Sequence, residues 1–209
     1  MCIRDSNSTI DRNVCTQILE QLLEGDKDRE CSVYILHGDM TAEEINALYN
    51  EPKIKAVVSI AHGEGFGLPL YEAVCNGVPV LAPDWGGQLD FLYAPVKNKK
   101  GKVKNRAHFA RVDYDIAPIQ QEAVWDGVLQ ADSKWCFPKE ISYRKKLRDI
   151  FVNHNRYASQ AKKLRKHVLE EFSREKMYKK FADYTYGEDS TEVEELEGWL
   201  ADLTEQVHD

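Results

Sequence analysis

The stretch that decides the fold is "IKAVVSIAHGEGFGLPLYEAVCNGVPVLAP", residues 54–83. It opens with a β-branched apolar run, which is typical of a strand buried on both faces. A glycine-rich loop follows, and residues 68–76 then form a predicted helix, with Pro69 in its first turn and Gly77 just past its end. The run "VPVLAP" predicts another buried strand. A strand, a helix and a strand joined by short links indicate a parallel sheet with a crossover helix.

The segments upstream extend this pattern. A predicted helix ends at Gly25, and "CSVYILHG" predicts a buried strand over residues 32–36. Thr41 and Glu44 have the spacing of a capping box and predict the start of another helix. The first half of the chain therefore predicts an α/β fold.

The segments downstream are less regular. A lysine-rich turn at residues 98–104 lies between segments that could pair as a hairpin, and "HFARVDYD" alternates like a strand. Residues 119–129 predict a helix, and "ADSKWCFP" predicts an ordered loop with Trp135 and Phe137 packed inward. From Lys139 onward the spacing of apolar residues predicts helices, so the α/β part carries a helical C-terminal extension.

We divide the chain into three parts. Residues 1–13 are expected to be an irregular segment, where a fragment of a longer protein could begin. Residues 14–185 are expected to form one domain. Residues 186–209 are expected to be an acidic linker followed by an amphipathic helix.

Composition excludes several classes of protein. No apolar run approaches the roughly 20 residues of a membrane-spanning helix, and the first residues lack the apolar stretch of a secretory signal. The five cysteines are odd in number and scattered, which argues against a disulfide framework and against a zinc site. A cytoplasmic location is therefore expected.

Charge is unevenly distributed along the chain. Residues 187–209 contain nine Asp or Glu and no Lys or Arg, while the rest holds 28 basic and 26 acidic residues. Residues 139–180 are strongly basic and could face an anionic membrane or nucleic acid. We favour a solvated helix surface, we expect no nucleic-acid partner, and peripheral membrane contact through the basic helices stays open.

The glycine-rich loop has the properties of an anion site. It follows the carboxyl end of a predicted parallel strand, which is where open α/β sheets bind ligands. It runs into a helix N-terminus, which offers unpaired amides and a partial positive charge. The glycines at positions 63, 65 and 67 let the backbone approach a ligand. The simplest ligand for residues 65–68 is a phosphate.

Two carboxylates flank this loop, and a phosphate alone does not require them. Glu64 and Glu72 are separated by seven residues, one in the loop and one about a turn into the helix. An ionised carboxylate can accept two hydrogen bonds from a vicinal diol. A diphosphate between two diols is the layout of a nucleotide sugar. The fingerprint G-x-G-x-x-G fails at Leu68, and the chain has no Walker loop and no G-x-S-x-G elbow.

The run "EGFGLPLYEAVCNGVPVLAPDWGG" resembles the E-x7-E signature of retaining glycosyltransferases of group 1, family four, which have the GT-B fold. "LHGDMTAEEINALYNE" resembles the segment that precedes the signature in that family, and "FSREKMYKKF" resembles its closing helix more weakly. The resemblance implies the C-terminal, donor-binding half of a GT-B enzyme, with a Rossmann-like parallel sheet. It also implies transfer of a hexosyl group from a nucleotide sugar to a hydroxyl acceptor (a glycan, lipid or protein) with retention.

The resemblance implies roles for particular residues. Glu64 would be the catalytic residue that faces the donor sugar. The donor-binding residues would be Gly65, Phe66, Gly67 and Leu68 at the sugar and diphosphate, Glu72 at the ribose, Gly38 near the base, and Gly86 and Gly87 along the cleft. The family needs no cofactor and no metal, because a helix dipole and basic side chains stabilise the leaving diphosphate.

Some features depart from the family pattern. "SIAHG" replaces the usual Pro-Ser before the signature, and Asp90 replaces a glutamate. We find no counterpart of the basic pair that binds the diphosphate and no acceptor half, so we expect little or no turnover from this chain alone. The alternatives are a non-catalytic nucleotide-sugar-binding module and a GT-B-fold epimerase. For His62, a structural role is favoured over a catalytic one.

Overall fold

The structure, a computed structural model, describes residues 9–25 and 28–187. The chain forms two compact units, one before and one after the junction between Glu51 and Pro52. The expectation of one domain over residues 14–185 stays a prediction. From residue 188 onward, the predicted acidic linker and terminal helix lie outside the described residues.

The N-terminal unit contains two helices, α1 (Thr9–Glu24) and α2 (Ala42–Asn50). The capping box at α2 is confirmed: the Glu44 carboxylate accepts a hydrogen bond from the Thr41 amide at 2.8 Å, and the Glu44 amide donates to Thr41 Oγ1 at 3.2 Å. Helix α1 begins at Thr9, so residues 9–13 are helical and not irregular.

The strand predicted over residues 32–36 is wrong. This segment is irregular, and the side chain of Tyr34 is 87% exposed. A strand requires a neighbour to accept its backbone hydrogen bonds. The described part of the N-terminal unit contains no other strand that could serve as one.

The C-terminal unit is built on a parallel sheet, as the deciding stretch predicts. Its strands are β1 (Val57–Val58), β2 (Val80–Pro83) and β5 (Ala110–Val112), in the spatial order β1, β2, β5. Strand β1 is only two residues long, however, and Val58 is 40% exposed, so the prediction that this strand is buried on both faces is wrong. Helix α3 (Leu68–Cys75) connects β1 to β2. All residues of the central strand β2 are buried, which explains its uninterrupted apolar sequence. The predicted α/β class is confirmed.

Two antiparallel strand pairs complete the unit. A short helix α4 (Leu89–Leu92) precedes β3 (Tyr93–Lys97), which pairs with β4 (Val103–Ala107) as the predicted hairpin. Strand β6 (Tyr114–Pro118) pairs with β7 (Lys134–Pro138). The alternating segment "HFARVDYD" therefore supplies parts of two strands, β5 and β6.

Two predictions in this region are wrong. Residues 119–129 form only a 3₁₀ turn, Gln121–Ala123, because Gly127 adopts a left-handed φ of 76° and Trp125 pairs with Leu129 as an isolated bridge. The predicted loop "ADSKWCFP" contains strand β7. Since side chains alternate along a strand, Cys136 is buried and its neighbours Trp135 and Phe137 are only half-buried.

The C-terminal extension is helical, as predicted. It consists of α5 (Glu140–Val152), α6 (His154–Glu171) and α7 (Arg174–Tyr186). Helix α5 packs on β5 and α6 packs on α3. One face of α6 is buried, at helical spacing: Tyr157, Ala161, Leu164 and Val168. In the part of the chain that the structure describes, no helix has the length and apolarity to cross a membrane.

A network at the α5–α6 junction holds Asp149. Its carboxylate accepts hydrogen bonds from the Tyr157 hydroxyl at 2.6 Å, the Asn153 amide at 2.7 Å and the Arg156 guanidinium at 2.6 Å. These bonds favour the ionised form, and they lower the pKa of Asp149 from 3.8 to about 2, with the Tyr157 hydroxyl as the largest cause.

We expect Leu81→Ala to destabilise the protein by about 2–5 kcal/mol, because Leu81 is fully buried between the sheet and the helices and its truncation leaves a cavity. Urea denaturation measures the change. The control is Val103→Ala in the hairpin, where the side chain is 57% exposed. It should lower the free energy of unfolding by less than about 0.5 kcal/mol. Equal losses in both variants would contradict the assignment of the core.

We expect the stabilisation that Asp149 provides to depend on pH and to be lost in acid. Because its pKa is lowered on folding, this contribution is present above its ordinary value of 3.8 and is lost as the pH falls towards about 2. Asp149→Asn should therefore be less stable than the wild type at pH 7, and the gap should close in acid. Urea midpoints across this pH range test it; a constant gap would contradict the ionised network.

Candidate functional site

The site is built where two loops leave the carboxyl ends of adjacent parallel strands. Residues 59–67 follow β1, and residues 84–88 follow β2. Since both strands run the same way, these loops emerge at one edge of the sheet. They are in direct backbone contact, because the Gly87 amide donates to the Glu64 carbonyl at 2.9 Å.

Glycine is required at positions 86 and 87 by this contact. A Cβ added to Gly87 would lie 1.8 Å from the Gly65 carbonyl oxygen. Gly86 has a φ of 101°, and its Cβ would meet the Glu64 backbone at 3.3 Å. The structure therefore places Gly86 and Gly87 against the glycine-rich loop, and their role there is to allow close packing of two backbones.

Helix α3 begins at the end of the glycine-rich loop. Gly67 is its N-cap, with a left-handed φ of 85°, and its carbonyl accepts the amides of Leu70 and Tyr71, each at 2.9 Å. Among the described residues, no acceptor takes a hydrogen bond from the amides of residues 65–68. These amides and the helix dipole create a positive local potential suited to an anion.

The side chains of Phe66 and Leu68 have different environments. The Phe66 ring packs against Phe91 at 5.1 Å, Tyr71 at 5.3 Å and Phe172 at 6.3 Å between ring centres. The packing of the Phe66 ring therefore anchors the loop. Leu68 is 61% exposed and can contact a ligand with its side chain.

The two carboxylates lie on either side of these amides in the sequence. Glu64 is half-buried, and its Oε1 accepts a hydrogen bond from Ser59 Oγ at 3.3 Å. Ser59 is itself fixed, because its amide donates to the Leu81 carbonyl at 3.0 Å. Glu72 is half-buried on α3, one turn beyond Leu68. Both carboxylates are thus carried by ordered backbone.

Ser59 and Gln88 also belong to the candidate site, but they were not predicted from the sequence. Gln88 is 2% exposed, and its side-chain amide donates to the carbonyls of Pro83, at 3.3 Å, and Trp85. Its Oε1 is buried and has no hydrogen-bond partner among the described residues. The only signal was position: Gln88 follows the Gly-Gly pair, and Ser59 follows β1.

His62 is a structural residue, in agreement with the favoured interpretation. Its Nδ1 lies 2.7 Å from the Cys136 carbonyl, and its own carbonyl accepts the Cys136 amide at 3.3 Å. The ring stacks on Trp135 at 4.9 Å and meets the edge of Phe137 at 4.7 Å. His62 thus joins the loop after β1 to strand β7.

Gly38 is the one predicted site residue in the N-terminal unit. Its φ is 121°, a conformation that favours glycine. The structure therefore brings together Glu64, Gly65, Phe66, Gly67, Leu68, Glu72, Gly86 and Gly87, all within the C-terminal unit. A cluster of three or more side chains able to hold a metal is absent from the described residues.

The arrangement has a definite chemical capacity. The amides of residues 65–68 can bind an anionic group, and the carboxylates of Glu64 and Glu72 can accept hydrogen bonds from hydroxyls. A ligand that carries both kinds of group fits the site better than inorganic phosphate, which the two carboxylates would repel.

The comparisons agree with this chemistry. The family model described as Glycosyl transferases group 1 matches residues 30–101. This region is roughly a third of the chain, and it contains every site residue named above. It is therefore similar to group 1 glycosyltransferases. Comparisons with curated proteins and with solved structures gave no match.

We expect Gly87→Ala to destabilise the C-terminal unit by about 1–3 kcal/mol or more, because the new methyl group would overlap the Gly65 carbonyl and force the loops apart. Gly63→Ala is the matched control. Its methyl group would enter open space, so the cost should stay within about 0.5 kcal/mol. Urea denaturation compares them; equal effects would show that the loops do not meet as described.

Proposed function

We propose that this chain is the donor-binding part of a retaining group 1 glycosyltransferase of family four, and that its donor is a nucleotide sugar. The observation that supports the proposal most strongly is the run of four backbone amides at residues 65–68, without internal acceptors, between Glu64 and Glu72. These residues lie inside the region that matches the glycosyltransferase family.

In this proposal the amides hold the diphosphate, which is the leaving group. Breaking the bond to the anomeric carbon leaves an additional negative charge on the diphosphate. The N-terminus of α3 stabilises that charge without rearrangement, because its amides are already fixed by the Gly67 cap and by the packing of Phe66. No metal is required for this role.

Glu64 faces the donor sugar in this proposal. Its carboxylate accepts a hydrogen bond from a sugar hydroxyl and lies on the reacting side, where positive charge develops at the anomeric carbon. Ser59 holds one of its two oxygens and leaves the other for the sugar. Ser59 is thus a positioning residue. The transferred group is a hexosyl group, the acceptor is a hydroxyl, and the configuration is retained.

Glu72 binds the ribose diol in this proposal. It follows the diphosphate amides by one helical turn, so a nucleotide whose diphosphate lies at the start of α3 can present its ribose to the Glu72 carboxylate.

The binding role of Glu72 can be tested by calorimetry with nucleoside diphosphates. We expect Glu72→Ala to weaken binding by about 10- to 100-fold, which corresponds to the loss of one or two charged hydrogen bonds. Glu170→Ala, on an exposed face of α6, is the control and should bind like the wild type. An unchanged affinity of Glu72→Ala for nucleoside diphosphates would contradict the proposed ribose-binding role.

The reaction is tested by incubating the protein with a panel of nucleotide sugars and hydroxyl acceptors. Released nucleoside diphosphate together with a glycosylated product supports transfer. Tight binding without release favours a non-catalytic binding module. Conversion of one nucleotide sugar into another without an acceptor favours an epimerase.

A further inference from the structure

A cavity in the C-terminal unit lies away from the glycine-rich loop. It has a volume of about 520 Å³ and is formed by the β3–β4 hairpin, strand β5 and helices α5 and α6. None of the site residues described above lines it. It lies beside β5, an outer strand of the sheet, whereas the glycine-rich loop follows β1 and α3.

Five cationic residues from four different elements line this cavity. They are Lys104 and Arg106 on β4, Arg111 on β5, Lys146 on α5 and Arg156 on α6. No carboxylate lines it. Cationic residues from separate elements that line one concave surface differ from a basic stripe along a single helix, which is the usual solvated surface.

Two of these cations are held in place by carboxylates outside the lining. Asp84 pairs with the Arg111 guanidinium at 3.3 Å and also accepts a hydrogen bond from the Tyr93 hydroxyl at 2.7 Å. Asp149 holds Arg156 in the same way, and the Arg156 guanidinium lies 4.7 Å from the Tyr157 ring centre. Each arginine is therefore oriented by a tyrosine and an aspartate before any ligand arrives.

The other three cations have no ion pair within the described residues: Lys104, Arg106 and Lys146. Lys104 and Arg106 are two positions apart on β4, so they project from the same face of the hairpin. Like charges held near one another repel. An anion in the cavity would relieve that repulsion and make favourable contacts with all three.

We propose that this cavity binds a small phosphate-bearing ligand, at a site separate from the glycine-rich loop. Its volume is in the range of small-molecule sites, about 300–1,000 Å³. Guanidinium and ammonium groups are the side chains that recognise phosphate, and an arginine does so with two parallel hydrogen bonds. The Gln160 side chain adds an amide at the rim that can contact the uncharged part of the ligand.

The size of the site favours a small ligand over a nucleic acid or a membrane. A nucleic acid requires basic groups spread along a track that follows its backbone. A membrane surface requires basic groups on a convex or flat face. Here five cationic residues line one open depression of about 520 Å³, which matches a compact group in size.

Calorimetry with inorganic tripolyphosphate tests the site. We expect the double variant Lys104→Ala/Arg106→Ala to weaken binding by about 10-fold or more, because two charged hydrogen bonds are lost. The matched control is Lys99→Ala/Lys100→Ala, which removes the same charge from the turn of the same hairpin but outside the cavity lining. It should change binding by less than about twofold, since only screened long-range attraction is lost.

Three further results decide the outcome. Circular dichroism should show that both double variants are folded. Equal losses of tripolyphosphate binding in the two double variants would overturn the proposal and indicate only general charge attraction. Absence of tripolyphosphate binding, with or without adsorption to phosphatidic acid vesicles, would overturn it as well.

Discussion

The hydrogen bond from the Gly87 amide to the Glu64 carbonyl is the contact on which the site depends. It links two loops that leave neighbouring strands, and it requires the loop backbones to approach more closely than any side chain at position 87 allows. The approach fixes the peptide between Glu64 and Gly65, and so fixes the direction of the amides before α3. Three glycines would make a free loop flexible, and the packing of Gly86 and Gly87 against this loop removes that flexibility. The loop is therefore preorganised, and a ligand bound there would not need to order it.

The sequence was sufficient to predict the part of the fold in which local signals agree. In residues 54–83, β-branched runs, Pro69, Gly77 and the spacing between them all favour one strand–helix–strand unit, and that unit is present. The prediction failed where the outcome depended on distant partners. Residues 32–36 have a strand-like composition, but the described part of their unit offers no neighbouring strand. Residues 134–138 are a strand because β6 lies beside them.

The site was predictable in the same uneven way. Glycines and acidic residues around a helix start carry their chemistry in the sequence, so the sequence was enough to propose Glu64, Glu72 and the amides between them as candidates. Gln88 and Ser59 were not, since their importance comes from hydrogen bonds to other loops and strands. The basic cavity also escaped the sequence. The lysines of the hairpin and those of the C-terminal helices were visible as separate clusters, but only the fold shows that Lys104, Arg106 and Lys146 line one space.

His62 connects the site to the order in which the protein is made. It is joined to Cys136 by a ring contact and a backbone hydrogen bond, across a sequence separation of 74 residues. On the ribosome, the strands and the helix around the glycine-rich loop emerge well before β7 does. Until Cys136 leaves the exit tunnel, one flank of the loop has no anchor, and long-range contacts of this kind form slowly. A truncated translation product that ends before residue 136 would therefore keep the signature motif and lack the contact between His62 and Cys136.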